Sequence, residues 1–264
     1  MPVASIVTYH TDSRELKDCI ASLSPDIFSE VFVIDNSRDA ATEALCAGYR
    51  HVRYMPSDNC GYGAGHNKAL RLSLEAGTDY HLVLNSDVRF NPLSILPLIE
   101  YLDANPDVGA VQPRIEYPDG TLQYTVRLLP TPADVIFRRF LPRRLVADRI
   151  NRYELRHIDH TRPFNVPYHQ GSFMLLRTSA LKDVGLFDER FFMYPEDIDL
   201  TRRIHEKYRT MYMPTATVVH DHRAASYHSP KMLAIHMVNM IRYFNKWGWI
   251  SDRQRRRFNR PLQP

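Results

Sequence analysis

The feature that most restricts the fold is a repeated order of segments in the first third of the chain: a short apolar run, a polar tip, then apolar residues at helical spacing. Ala4-Ser5-Ile6-Val7 ends in Thr8-Tyr9-His10, and Leu16, Cys19, Ile20 and Leu23 follow at the spacing of one helix face. Val31-Phe32-Val33-Ile34 stops at Asp35-Asn36-Ser37, before a helix-compatible stretch over 42–47. A short strand at Val52-Arg53-Tyr54 precedes a glycine-rich loop and a helix near 68–75, and His81-Leu82-Val83-Leu84 breaks abruptly into Asn85-Ser86-Asp87. Strands alternating with helices at this spacing predict βαβ units and a mainly parallel sheet. Right-handed crossovers then bring the polar tips to one edge, where ligands of open α/β sheets bind.

Each tip alone reads equally well as a turn, since Asn, Ser and Asp favour turns. Their convergence favours a polar ligand such as a nucleotide, with Tyr9 able to stack on a base, Asp35 to accept hydrogen bonds from base or ribose, and Asp87 to face a metal-bound anion. The run from Asn59 to Asn67 (Asn-Cys-Gly-Tyr-Gly-Ala-Gly-His-Asn) lets the backbone approach a ligand closely ahead of a helix N-terminus. No Gly-Lys-Ser/Thr follows it, and the spacing is not that of a dinucleotide fingerprint. A loop that only makes a tight turn is the competing reading.

From Asn105 to Pro167 the chain is punctuated by proline, with a hairpin expected at Tyr117-Pro118-Asp119-Gly120-Thr121. The stretch from Leu129 to Arg162 reads as a substrate-facing insertion or loop. A strand is expected at 171–176, and Pro195 then opens a helix whose acids, Glu196 and Asp197, complement the helix dipole. Phe187, Phe191, Phe192 and Tyr194 around them could equally wall a cleft in which a carboxylate takes a proton. Thr217-Val218-Val219 leads as a strand into His220-Asp221-His222, two histidines with metal-ligand character. Residues 231–249 form an amphipathic helix, and an arginine-rich tail closes the chain.

At 264 residues, 44% hydrophobic and 24% charged, the chain is an ordinary globular one. Three scattered cysteines form no disulfide framework and no zinc spacing, which suits a reducing cytoplasm. No basic leader and no apolar stretch of about 18 residues is visible. The net charge of +4 is concentrated in arginines at 138–156 and 253–260. Solvated faces, an anionic membrane surface or an anionic substrate account for such runs, and neither lies in a nucleic-acid-binding motif.

Taken in order, the segments Val7-Thr8-Tyr9, Val33 to Ser37, Asn59 to Asn67, Leu84 to Asp87, Gly171-Ser172-Phe173-Met174, Gly185 to Phe192, Glu196 to Leu200 and Ala216 to His220 resemble the inverting family 2 glycosyltransferases of the GT-A fold, and within them the bacterial rhamnosyltransferases. The likeness runs from Ile6 to about Lys246 and is weakest over 129–162. It implies an α/β, Rossmann-like single domain with a mostly parallel central sheet flanked by helices and a C-terminal helical extension. The divisions would be 1–230 for the GT-A domain, with a donor half (1–105) and an acceptor half (106–230), and 231–264 for amphipathic helix and tail.

The resemblance further implies a nucleotide-diphosphate-sugar donor, with dTDP-rhamnose the best match, held by Thr8, Tyr9, Asp35, Asn59, Gly61, Gly63, Asn67, Asn85 and Ser86. Mg2+ or Mn2+ would sit on Asp87 and His220. Asn85 stands where the family's D-x-D element has its first acid, leaving fewer charged ligands. Asp197 would be the general base with Glu196 as its orienter, and Gly171, Ser172, Phe192 and Asp199 would line the acceptor side. The acceptor would be a saccharide or lipid-linked saccharide, met in the cytoplasm or at the inner face of the membrane. A sugar-nucleotide nucleotidyltransferase and a non-catalytic donor-binding subunit of a polysaccharide assembly are the alternatives.

Overall fold

The computed structural model describes residues 1–221 and 230–264; His222 lies outside them. The first half builds β1 (Val3–Thr8), α1 (Ser13–Ala21), β2 (Glu30–Asp35), α2 (Ala40–Ala47), β3 (Val52–Pro56), α3 (Tyr62–Glu75), β4 (Tyr80–Leu84), β5 (Val88–Arg89) and α4 (Leu96–Ala104). The second half adds β6 (Val108–Glu116), β7 (Val126–Arg127), α5 (Pro132–Phe140), α6 (Arg143–Tyr153), β8 (Phe164–Asn165), β9 (Tyr168–His169) and β10 (Phe173–Arg177). It closes with α7 (Thr178–Val184), α8 (Glu196–Lys207), β11 (Arg209–His220), α9 (Pro230–Trp247) and α10 (Arg253–Asn259).

Among the described residues one nine-stranded sheet runs in the order β3-β2-β1-β4-β10-β6-β11-β5, with β8 paired to β11. β1, β2, β3 and β4 pair in parallel, as does β6 with β11, while β10 lies antiparallel between β4 and β6. Period-two alternation sends the side chains into two layers. Leu82 and Leu84 of β4 join Phe173 and Leu175 of β10 against Leu16 and Ile20 of α1 and Leu98 and Leu102 of α4. Val83, Met174 and Leu176 face Leu70 of α3, Leu181 of α7, and Leu200 and Ile204 of α8. Helices therefore cover both faces of one mostly parallel sheet in a single domain.

The middle is more regular than its prolines suggest. Pro132 occupies the first turn of α5 behind a Thr131/Asp134 capping box, and Pro142 caps α6, positions where the missing N–H costs nothing. The stretch expected as a loop is thus a helical pair. Pro113 lies inside β6 next to a register shift against β11, where the ladder is already interrupted. The arginine-rich tail also folds back. Arg202 of α8 is buried in a two-pronged pair with Asp252 (2.6 and 2.7 Å) at the start of α10, and Arg255 donates to the carbonyls of Pro130 and Trp249.

Candidate active site

β4 stops at Leu84 because the next residues turn on themselves: Asn85 N–H donates to Ser172 C=O (3.0 Å) and Val88 N–H to Asn85 C=O (3.3 Å). β5 then runs antiparallel to the end of β11, pairing Val88 with His220, and Asp221 N–H donates to Asp87 C=O (3.0 Å). This turn brings Asp87 Oδ1 to 3.2 Å from His220 Nε2.

Gln123 fixes which tautomer of His220 faces Asp87. Gln123 Nε2 donates to the His220 carbonyl (2.6 Å), so its Oε1 is the end lying 2.9 Å from His220 Nδ1. An amide oxygen only accepts, hence Nδ1 carries a hydrogen and Nε2 is the nitrogen that faces the carboxylate. A carboxylate oxygen and an imidazole nitrogen at this distance can share a cation. Adjacent ligands of a six-coordinate ion with bonds of about 2.1 Å lie about 3 Å apart, so carboxylate and imidazole fit one divalent ion whose remaining positions would fall to ligand oxygens and water. Among the described residues no group of three or more His, Cys, Asp or Glu side chains forms a complete cage.

Asp197 lies in the first turn of α8. Its Oδ2 accepts from Gly171 N–H (3.0 Å) and Tyr168 O–H (3.4 Å), and its Oδ1 from Ile198 N–H (2.8 Å). Burial raises its pKa against these hydrogen bonds and the nearby charge of half-buried Arg127. Glu196 is buried more deeply, and burial together with the charge of Asp197 pushes its pKa well up. Its Oε2 has no hydrogen-bond partner among the described residues, whereas Asp197 accepts three hydrogen bonds. Glu196 is therefore the member that keeps a proton, and Asp197 the one that carries charge. No hydrogen bond joins Glu196 to Asp197, so the expected orienting contact is not seen, and a protonated Glu196 leaves Asp197 as the charged member of the pair.

Tyr62, the first residue of α3, joins the two sides. Its hydroxyl lies 2.8 Å from Asn85 Oδ1 and 2.7 Å from Gly171 C=O, and Gly171 N–H holds Asp197. A single phenolic proton is shared between the two acceptors. Burial, followed by the charges of Glu196, Asp197 and Asp87, raises the Tyr62 pKa well above its ordinary value. The turn after β4 and Asp197 are thus linked through the hydroxyl of half-buried Tyr62. A Cβ at Gly171 would sit 3.3 Å from the Tyr62 ring, a tight fit, and 3.5 Å from Asp197, an ordinary contact. No local sequence pattern marks Tyr62, Gln123 or Arg127 for these contacts, which are made with residues distant in the chain.

Other expected site residues are occupied elsewhere. Asp35, fully buried, accepts from Ser37 N–H and O–H, Asp39 N–H, Tyr54 O–H and Thr8 O–H, which together bring its pKa down despite burial. With those donors in place it anchors the turn after β2 and has no lone pair to spare for a donor, and Thr8 is spent on it. Asn67 uses both ends of its amide on the 187–189 segment. The expected glycine loop for phosphate is the start of α3 itself. Gly63 allows contact with Phe187 and Glu196, Gly65 with Val7, and Gly61, at φ +97°, with the Phe192 backbone, whose carbonyl takes the Tyr62 N–H. Asp199 is fully buried with its oxygens on Arg203, Lys246 and Trp247, which corrects its expected place beside the acceptor.

Tyr9 is 56% exposed beyond the tip of β1, open to a stacking partner. Asn59 Oδ1 accepts from Gly61 N–H (3.3 Å), and Ser86 O–H donates to Glu15 (3.2 Å). Ser172 is buried, its carbonyl on Asn85 and its hydroxyl without a partner among the described residues. Phe192 is half-buried above α3.

The sequence pattern of Glycosyl transferase family 2 matches residues 5–185. The chain belongs to this family. It is 35% identical over 245 residues, spanning 86% of this chain and 77% of the other, to an N-acetylglucosaminyl-diphospho-decaprenol L-rhamnosyltransferase of Mycobacterium tuberculosis. Rhamnosyltransferase WbbL of Escherichia coli K12 is 26% identical over 98% of both chains. Among solved structures, GalNAc-T7 crystallised with UDP, GalNAc and Mn2+ superposes with a TM-score of 0.66 at 15% identity, covering 99% of this chain. This chain spans half the length of that one, and the likeness is one of fold. The protein is accordingly an enzyme, a family 2 glycosyltransferase, and the nucleotidyltransferase and non-catalytic alternatives fall away.

Proposed function

We propose that this glycosyltransferase moves L-rhamnose, with inversion, from dTDP-rhamnose to a hydroxyl of a lipid-linked saccharide in cell-surface glycan synthesis, at the cytoplasmic face of the membrane. The sugar and the acceptor class follow the two rhamnosyltransferases it is similar to. In this reading residues 1–105 hold the donor and 106–230 serve the acceptor, with 231–264 packed against the acceptor half. The observation that supports this reading best is the chain of contacts from Asn85 through Tyr62 and Gly171 to Asp197, which links the strand tip next to Asp87 with the carboxylate offered for the proton.

Asp87 and His220 would hold Mg2+ or Mn2+, which when bound neutralises the diphosphate as it leaves. Asp197 accepts the proton of the acceptor hydroxyl while that oxygen bonds to the anomeric carbon and the bond to the diphosphate breaks. One displacement inverts the centre, and no protein nucleophile is needed. Glu196, kept protonated, adds no second negative charge beside the base. Tyr62 and the Gly171 amide hold Asp197 in place, and exposed Tyr9 is the surface for the thymine ring.

Thermal melts with a panel of nucleotide sugars and Mn2+, paired with transfer to a lipid-linked N-acetylglucosamine acceptor, test the assignment, since a ligand that binds only the folded state raises its melting temperature. dTDP-rhamnose should stabilise most and be the donor consumed. Preferential stabilisation and consumption of a UDP- or GDP-sugar would overturn the rhamnose assignment.

A further inference from the structure

α5 carries an amphipathic pattern turned the wrong way for a core helix. Ile136, Phe137 and Phe140 form a stripe along it, and Leu141 and Leu145 continue the stripe across the turn into α6. All five are exposed, from 38% for Phe137 to 69% for Leu145, and no residue of α5 is buried. Misfolding of the pair does not explain this, because its inner side is well seated. Val146, Ile150 and Tyr153 of α6 are buried, and Val135 packs on the cluster containing Leu129, Tyr168 and Ile198. Arg149 ties α6 to α5 through Asp134 and Thr131. The apolar face therefore points outward from a fixed scaffold.

Between 132 and 153 the chain holds six arginines against two aspartates. Asp134 is paired with Arg149, and Arg144 is exposed next to Leu145. Arg138 lies over the Tyr153 ring (5.4 Å), and Arg138 and Arg139 both lie close enough to His236 of α9 to hold its pKa down, after burial, to about 4. A two-fold contact with a second copy would set this positive field against itself, and protein interface cores are poor in charge. Aromatic and aliphatic side chains flanked by arginines suit instead the boundary between anionic headgroups and acyl chains, where apolar groups enter and guanidinium groups stay among phosphates.

We infer that the α5–α6 pair is the membrane-docking element of this enzyme, inserting Ile136, Phe137, Phe140, Leu141 and Leu145 into an anionic lipid surface. Its placement gives this a purpose. Val135 shares a cluster with Tyr168, which hydrogen-bonds the proposed base Asp197, so the docked face lies on the acceptor side of the cleft. The inference deepens the lipid-linked acceptor reading, yet its test is separate from transfer.

The full chain is sedimented with vesicles of phosphatidylcholine alone and with about one-third phosphatidylglycerol, at low and high salt. Binding to the anionic vesicles, weakened by salt, is expected. Phe140→Ser with Leu145→Ser should lower the partition at least about tenfold. Arg144→Gln should lower it about fivefold on anionic vesicles only. Arg253→Gln, on exposed α10, should leave it unchanged. Melting temperature and transfer to a soluble, lipid-free acceptor should survive in all three variants, which separates loss of docking from loss of fold or of the enzymatic reading. Equal partition of wild type and the double variant, no binding to anionic vesicles, or a wild-type dimer abolished by the double variant would each overturn the inference.

Discussion

Three side chains set the chemistry at the smallest scale, and only one of them was plain in the sequence. Asp197 stands out because an acid beside aromatics at a helix start can do more than cap it. Gln123 and Tyr62 act through partners distant in sequence, Gln123 on His220 and Tyr62 on Asn85 and Gly171, and no local pattern reports such contacts. The converse error has the same root: Asp35, Asn67 and Asp199 carry the polar signature of ligand groups, yet fasten turns and helices. Gln123→Ala should weaken Mn2+ binding in the presence of dTDP about 10–100-fold by calorimetry with little change in fold, as removal of a group that orients a metal-binding histidine does; unchanged affinity would remove Gln123 from that role. Glu196→Gln should stabilise the protein increasingly as pH rises. The folded state holds the Glu196 proton more tightly than the unfolded chain does, so the native glutamate costs nothing below its ordinary pKa of about 4.3 and progressively more above it. Melts from about pH 4 to 8 should show the difference opening toward neutrality, whereas a pH-independent difference would contradict the assignment of the proton.

At the scale of elements, the strands β1, β2 and β4 were legible because apolar runs ending in polar tips are hard to read otherwise, and α1 and α2 because their buried faces recur at helical spacing. β10 was no less visible as an apolar run, but its antiparallel place between β4 and β6 was not, since pairing direction leaves no trace in one strand. α5 and α6 were missed because proline was taken as a breaker where it opens a helix. The arginine-rich tail shows in the sequence only as a basic run, whereas α10 is clamped by Arg202 and Asp252, a buried pair with Tyr243 and Gln254 as further partners. Asp252→Ala should cost about 3–5 kcal/mol in denaturant unfolding, because Arg202 would stay buried without its counter-charge. A loss under about 1 kcal/mol would show that α10 contributes little to holding the fold.

Across the whole molecule, sheet order and crossover connections bring residues near 62, 85, 123, 171, 197 and 220 to one rim, and the chemistry is a property of that rim. Helices pack both faces of the sheet, so a ligand reaches its polar residues from the strand ends, where turns can satisfy some groups and leave others for ligands. Among the described residues no helix is long and apolar enough to cross a membrane; the contact proposed with lipid is the exposed face of α5 and α6. The rim was foreseeable from the alternation of segments. The partnership of its two sides was not, because it needs the antiparallel β10 to carry Gly171 beside both Tyr62 and Asp197. The most direct test of that partnership measures Asp197→Asn twice, once for donor binding by calorimetry with Mn2+ and once for transfer to the acceptor. Transfer should fall about a hundredfold to ten-thousandfold while donor affinity stays within about twofold of wild type. Undiminished transfer, or a loss of donor binding as large as the loss of transfer, would contradict the division of labour between Asp87 and Asp197.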